Sequence, residues 1–141
     1  MSCHTVNTVT GEIDVRDLGV TLMHEHLLIA YPGWEADTLH PGLCREDMVA
    51  VCVDKIQSMQ DQGIRSMLDP CPNDLGRDVE FMAEVAQKTG FQIICATGLY
   101  KQSEGGVAYW HFRGNFGPVV DAMAELFVHE LTEGVGSTGI R

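Results

Sequence analysis

At 141 residues, with 45% apolar and 21% charged side chains, the chain has the size of one ordinary domain or part of a large one, with enough apolar material for a packed core; that balance excludes intrinsic disorder. Twenty acidic residues against nine basic ones give a formal charge of −11, so the cationic surface that phosphate backbones require is missing and nucleic acid is not an expected partner. The chain also has no basic amphipathic helix for a membrane surface and no stretch reaching the roughly 18 apolar residues of a bilayer span, so no membrane partner is expected.

In chain order, TVNTVTGEIDVRDLG alternates apolar and polar residues about Thr10 and Gly11, which predicts a β-hairpin over 5–16. GVTLMHEHLL predicts a first strand over 20–26, buried early and loaded with polar groups late. Over 45–62 the period becomes helical, with Val49, Cys52, Val53, Ile56 and Met59 on one face and Gly63 placed to end the helix. A second strand is predicted over 65–69, stopped by Pro70 and Pro72. A second helix follows, with Asn73 and Asp74 as its expected caps, Val79, Met82, Ala83 and Ala86 on its apolar face, and Gly90 at its end. The nearly continuous apolar run FQIICATG predicts a buried parallel strand over 92–97. A loop rich in glycine and aromatics is expected over 99–117. Pro118 then opens a third helix with Val119, Met123, Leu126 and Phe127 inward, and the tail STGIR is able to start a fourth strand.

Alternating strands and helices imply a parallel sheet with right-handed crossovers, in one domain spanning 1–141, with neither repeats nor linkers. Two α/β architectures satisfy the pattern: an open flavodoxin-like sheet, or the first part of a (β/α)8 barrel. Periodicity does not separate them. The N-terminus lacks the basic start and apolar stretch of a signal peptide. The five cysteines (Cys3, Cys44, Cys52, Cys71 and Cys95) are odd in number and form no C-x-x-C pair. They are expected as inert reduced thiols in a cytoplasmic protein, Cys52 and Cys95 as core residues.

The segment TLMHEHLL carries the chemistry. In a strand, His24 and His26 share a face and Glu25 takes the other. Residues two apart stand about 6.5–7 Å apart along the strand, so two leaning imidazoles are able to meet one metal at about 2.0–2.1 Å each. Strand ends are where parallel α/β folds collect ligands. The same pair also suits two hydrogen-bonded histidines with no metal, and a zinc site needs a third or fourth donor besides.

GVTLMHEHLL resembles the N-terminal signature G-x-T-L-x-H-E-H-L of the phosphotriesterase family, within the amidohydrolase superfamily. DLGRDVEFMAEVAQKTGFQIICATGLY is similar to that family's second helix and third strand, and ELTEGVGSTGIR to its approach to the fourth strand. The resemblance covers nearly the whole chain. It implies the N-terminal part of a (β/α)8 TIM barrel, about three β/α units, preceded by the hairpin. It implies an ester hydrolase, of lactones and other carboxylic esters or of phosphotriesters, working through a metal-activated hydroxide at two divalent metal ions, zinc being the usual one. His24 and His26 match the metal-binding histidines of strand one, and Tyr100 matches an aromatic that lines the substrate pocket. The remaining ligands (a carboxylated lysine on strand four, histidines on strands five and six, an aspartate on strand eight) have no counterpart in these 141 residues, which therefore hold no catalytic residue. The expectation is an inactive N-terminal part of an enzyme whose partner is a small ester, with a homodimer as its assembly when intact. A mononuclear enzyme of the adenosine-deaminase kind shares the H-x-H, but the G-R-D and A-T-G-L-Y context disfavours it.

Other side chains read as structural. Asp69 ends the second strand within reach of the metal face and is expected either to support the ligands from behind or to shape the turn, and Arg77 and Asp78 are expected as braces at a helix start. Trp34, Tyr109, Trp110 and His111 are expected to cover the core edge. His4, His40 and His129 carry no spacing signal.

Overall fold

The opening alternation closes as an antiparallel hairpin in the computed structural model, which describes residues 4–101 and 103–141; Cys3 lies outside the described residues. Strand β1 (Thr5–Thr8) pairs with β2 (Gly11–Asp14), Thr8 opposite Gly11. The turn is therefore Val9 and Thr10, one residue earlier than expected, and Gly11 opens the second strand with φ 128°. The hairpin is seated on the main sheet by Val9, which is buried and donates its N–H to the Ile93 carbonyl at 2.9 Å.

The main sheet is parallel and three-stranded in the order β3 (Val20–Leu22), β4 (Ile64–Asp69), β5 (Gln92–Cys95). The crossovers are helix α1 (Arg45–Asp61) and helix α2 (Val79–Thr89). Val49, Cys52 and Ile56 of α1 are buried, and Val53 and Met59 pack partly against the core. Helix α2 buries more than one stripe, adding Phe81 and Val85 to the four expected residues. Arg45 ties the two helices on the solvent side, bonding Asp78 at 2.9 Å and Glu84 at 3.2 Å.

Strand β3 stops at Leu22, four residues short of the expected 26, because its later amides find other acceptors. Glu25 still donates to the Leu68 carbonyl at 3.2 Å, but Leu27 donates to the Asp69 carboxylate at 3.0 Å. Strand β5 ends at Cys95 rather than 97 for a similar reason: the Ala96 carbonyl accepts from Arg77, and Gly98 exchanges hydrogen bonds with Asn73. Within β5 only Ile93 is fully buried, so the continuous apolar run is half-covered rather than enclosed.

Three further expectations are corrected. The cap of α2 is Asp78, whose carboxylate accepts the Phe81 N–H at 2.8 Å; Asn73 and Asp74 lie a turn too early, Asn73 bonding Gly98 and Glu130 and Asp74 the Tyr100 and Gly106 amides instead. The stretch 99–117 contains a short helix, α3 (Val107–Arg113). Its glycines, Gly105, Gly106 and Gly114, mark helix ends rather than one long loop. After helix α4 (Val119–Thr132) the tail forms no strand; Val135 donates to the Ile140 carbonyl at 2.8 Å across a turn instead. Gly134 in that turn has φ 116°, and a Cβ there would stand 2.6 Å from Gly139, so the glycines fold the tail back on itself.

Candidate metal centre

The residues just after strands β3, β4 and β5 meet in one cleft at the carboxyl end of the sheet. His24 and His26 lie just past the end of β3, Asp69 ends β4, and Thr97 to Tyr100 follow β5. The loop after β3 is held there by close packing on the G-R-D turn. Ala30 donates to the Leu75 carbonyl at 3.0 Å, and Gly76, at φ 80°, lies so near that a Cβ would be 2.5 Å from that of Ala30. Any other residue at Gly76 would clash with Ala30 and force this turn and the loop apart.

The two imidazoles face the same side. Their ring centroids are 5.3 Å apart with the planes at 73°, and both rings line one cleft with Tyr31, Pro72, Thr97 and Tyr100. Tyr31 and Tyr100 meet edge to face at 6.3 Å across it. The cleft thus brings together His24, His26 and Tyr100, the three residues singled out from the sequence. Trp34 and Tyr109 stand largely exposed, and His40 pairs with Asp37 at 3.0 Å on the surface.

Beneath the rings is Asp69, for which the sequence allows either a supporting place behind the ligands or a place in the turn. Asp69 is fully buried, and each carboxylate oxygen accepts one backbone N–H, Oδ2 from Leu27 and Oδ1 from Cys71 at 2.9 Å. His26 Nδ1 sits 3.4 Å from Oδ1, closed off from solvent and with no aligned hydrogen-bond partner. Burial pushes the Asp69 pKa up; the two amide bonds and the nearby histidines act against that.

His26, Asp69 and Cys71 also bring one donor atom each within 4.8 Å of the others. Cys71 is poorly suited to be a ligand. Its thiol donates to the Leu28 carbonyl at 3.4 Å and the Leu75 carbonyl at 3.1 Å. Burial, reinforced by the Asp69 charge, raises its pKa to about 11 in the metal-free chain. The donor set that remains open is the imidazole pair, and it fits a metal: two imidazole rings on one cleft wall, with a carboxylate behind one of them.

A second buried polar cluster braces the same edge. Glu130, the one fully buried residue described on α4, accepts from Arg77 at 2.7 and 2.8 Å and from Asn73 at 2.9 Å, and the Thr97 hydroxyl donates to it. Burial works to raise its pKa, but the bonds from Arg77, Thr97 and Asn73 outweigh it and leave the carboxyl below the ordinary range. Arg77 therefore braces α4 and strand end alike, while Asp78 braces its own helix. Asp74 holds the far side of the cleft, accepting Tyr100 N–H at 2.7 Å and Gly106 N–H at 2.6 Å.

The model of the phosphotriesterase family matches residues 4–141. A phosphotriesterase homology protein of Mycobacterium tuberculosis is 33% identical over 139 residues, covering 96% of this chain and 42% of the relative. A phospho-furanose lactonase of Mycoplasmopsis agalactiae is 33% identical over 98 residues, 68% of this chain and 27% of the relative. The organophosphorus hydrolase of Deinococcus radiodurans superposes with a TM-score of 0.92 at 38% identity, covering 100% of this chain and 43% of that one. The chain thus spans less than half the length of these relatives. The superposition also decides between the two architectures left open by the sequence: the hairpin and three β/α units are the N-terminal part of a (β/α)8 barrel, not an open flavodoxin-like sheet.

Proposed function

Because the chain belongs to the phosphotriesterase family, we propose that it forms the strand-one side of a metal-dependent ester hydrolase, with His24 and His26 as metal ligands and Tyr100 as a wall of the substrate pocket. The observation that carries this reading is the pair of imidazoles converging on one cleft at the carboxyl end of the sheet, where barrel enzymes hold their reactive groups. Two divalent ions, zinc by preference, would supply a lowered water pKa and a polarised substrate oxygen when bound.

This chain's own residues hold and orient. His24 and His26 present imidazole nitrogens, and donors beyond this pair complete any zinc site of about four ligands. Tyr31 and Tyr100 form an apolar wall against which an acyl or alkoxy group packs. Asp74, bonded to the Tyr100 amide, keeps that wall in register. The substrate is a small ester, and we favour a lactone or other carboxylic ester over a phosphotriester. Among relatives of comparable likeness one is named a lactonase and another an organophosphorus hydrolase, so both classes belong in the test. A reducing cytoplasmic setting is part of the proposal, supported by four free cysteines among the described residues. No helix among those residues is long and apolar enough to cross a membrane.

The deciding experiment loads the full-length protein with Zn2+ and assays it on a lactone and on an aryl phosphotriester. Turnover of the lactone is expected, with loss of at least about 100-fold in His24→Asn or His26→Asn. Absence of turnover on both substrates removes the hydrolase reading.

A further inference from the structure

We propose that Asp69 is the positioning residue of this centre, fixing His26 as the Nδ1–H tautomer so that Nε2 is the nitrogen presented to the metal. The inference rests on the metal reading of His26 and adds which atom binds and what holds it. An imidazole offers a metal only the nitrogen that carries no proton, so the group bonded to the other nitrogen decides how the ring is used.

Three observations point to Asp69. His26 Nδ1 is shut off from solvent although the side chain is 21% exposed, so the open part of the ring faces the cleft and Nδ1 faces the protein. The nearest charged group is the fully buried Asp69 carboxylate, at 3.4 Å. That carboxylate is itself immobile. The Leu27 amide holds one oxygen and the Cys71 amide the other, and each oxygen keeps a further lone pair. The Oδ1 lone pair not used by Cys71 is the acceptor for an Nδ1–H, and a small ring rotation closes 3.4 Å to a hydrogen bond. The Leu27 bond adds a second constraint. Asp69 holds the backbone of the residue next to His26 as well as its ring, so one side chain of β4 sets both the position and the protonation of a ligand following β3.

The rival arrangement has Nδ1 itself binding a metal together with Asp69 and Cys71, whose donor atoms lie within 4.8 Å of it. It would require Cys71 to give up its bonds to two carbonyls and its proton.

The experiment uses the complete chain, 15N-labelled, stripped of metal and held at pH 8, with the His26 ring assigned by its disappearance in His26→Gln. Long-range 1H–15N correlation reads the tautomer directly. His26 is expected as Nδ1–H in the wild-type chain and shifted towards Nε2–H in Asp69→Asn, while Cys71→Ser leaves it unchanged. On titration with Zn2+, Asp69→Asn is expected to weaken binding by about 10- to 100-fold, and Cd2+ is expected to couple to Nε2. A wild-type ring in the Nε2–H form overturns the proposal without recourse to Asp69→Asn, so misfolding of that substitution cannot shelter it. An unchanged tautomer in folded Asp69→Asn overturns it as well. So does a thiolate-to-metal charge-transfer band that Cys71→Ser abolishes. An Nδ1–H ring in a chain that binds neither ion upholds Asp69 and defeats the metal reading instead.

Discussion

The described cysteines separate by what their thiols touch, although composition treats them alike. Cys44 is exposed before α1, whereas Cys71 is buried and donates to two carbonyls, with its pKa raised to about 11. Alkylation requires thiolate and access. Iodoacetamide at pH 8 is therefore expected to modify Cys44 while leaving Cys71 untouched until the chain is unfolded, as read by peptide mass mapping; equal labelling of both would contradict the packing described. At this scale the sequence conveys chemistry better than partnership. The spacing of His24 and His26 points to a shared face, and the rings do share one, but beyond the end of β3 rather than through alternation within the strand. The Asp69 contact joins residues 43 positions apart in sequence; the place of Asp69 at a strand end brings it to the metal face, but nothing in either segment marks His26 as its neighbour. Glu130 is different, since it follows Leu126 by four residues and Phe127 by three and so falls on the apolar stripe of its own helix. An acid at such a position signals a buried partner, and Arg77 is that partner.

Among the elements, α4 shows how a polar contact decides docking. Its inward residues Val119, Met123, Leu126 and Phe127 are only half-buried, and the fully buried position is Glu130, clasped by Arg77. Removing one partner leaves the other charge buried and unpaired, which costs about 3–5 kcal/mol. Glu130→Ala is expected to lower the opening free energy of the α4 amides by that order, measured by hydrogen exchange, and Arg77→Met to do likewise. The paired change Arg77→Met with Glu130→Leu should recover most of the loss. The pH dependence follows from the direction of the Glu130 shift. Its folded pKa lies below the ordinary 4.5, so its contribution is complete above that value and fades as pH falls through the folded pKa. Exchange of α4 amides, corrected for intrinsic rate, should accelerate below pH 4.5 in the wild-type chain, and Glu130→Gln should flatten that dependence. Helices α1 and α2 were legible because each carries a clear apolar face, and α4 because Pro118 opens it. The strand ends were not, because the side chains of Asp69, Arg77 and Asn73 divert backbone groups that the pattern assigns to the sheet. Helix α3 was missed since its flanking glycines read as loop.

At the scale of the molecule, the surface is more apolar than its net charge of −11 suggests. Leu39 is 84% exposed, Phe116 75%, Val120 73% and Leu131 63%, the last two on one helix. Val20, at 62% exposed, opens the outer edge of β3, and among the described residues no strand pairs with that edge. Apolar patches and open edges of this kind bind further chain, either other segments of a barrel or other copies. The charge works against association, because like-charged molecules repel over about 10 Å at 0.1 M salt. These two effects scale differently: the repulsion is screened by added salt, whereas apolar burial is not weakened by it. The 141-residue chain is accordingly expected to associate as its concentration rises, and to do so more strongly at 0.5 M NaCl than at 0.05 M, with light scattering or sedimentation as the measure. Val120→Glu and Leu131→Lys on α4 should each reduce the associated fraction. A chain that stays monomeric across that salt range and melts in one cooperative step would show that its sheet edge and helix faces are self-sufficient, and the reading of these exposed apolar positions as an association surface would lose its physical ground.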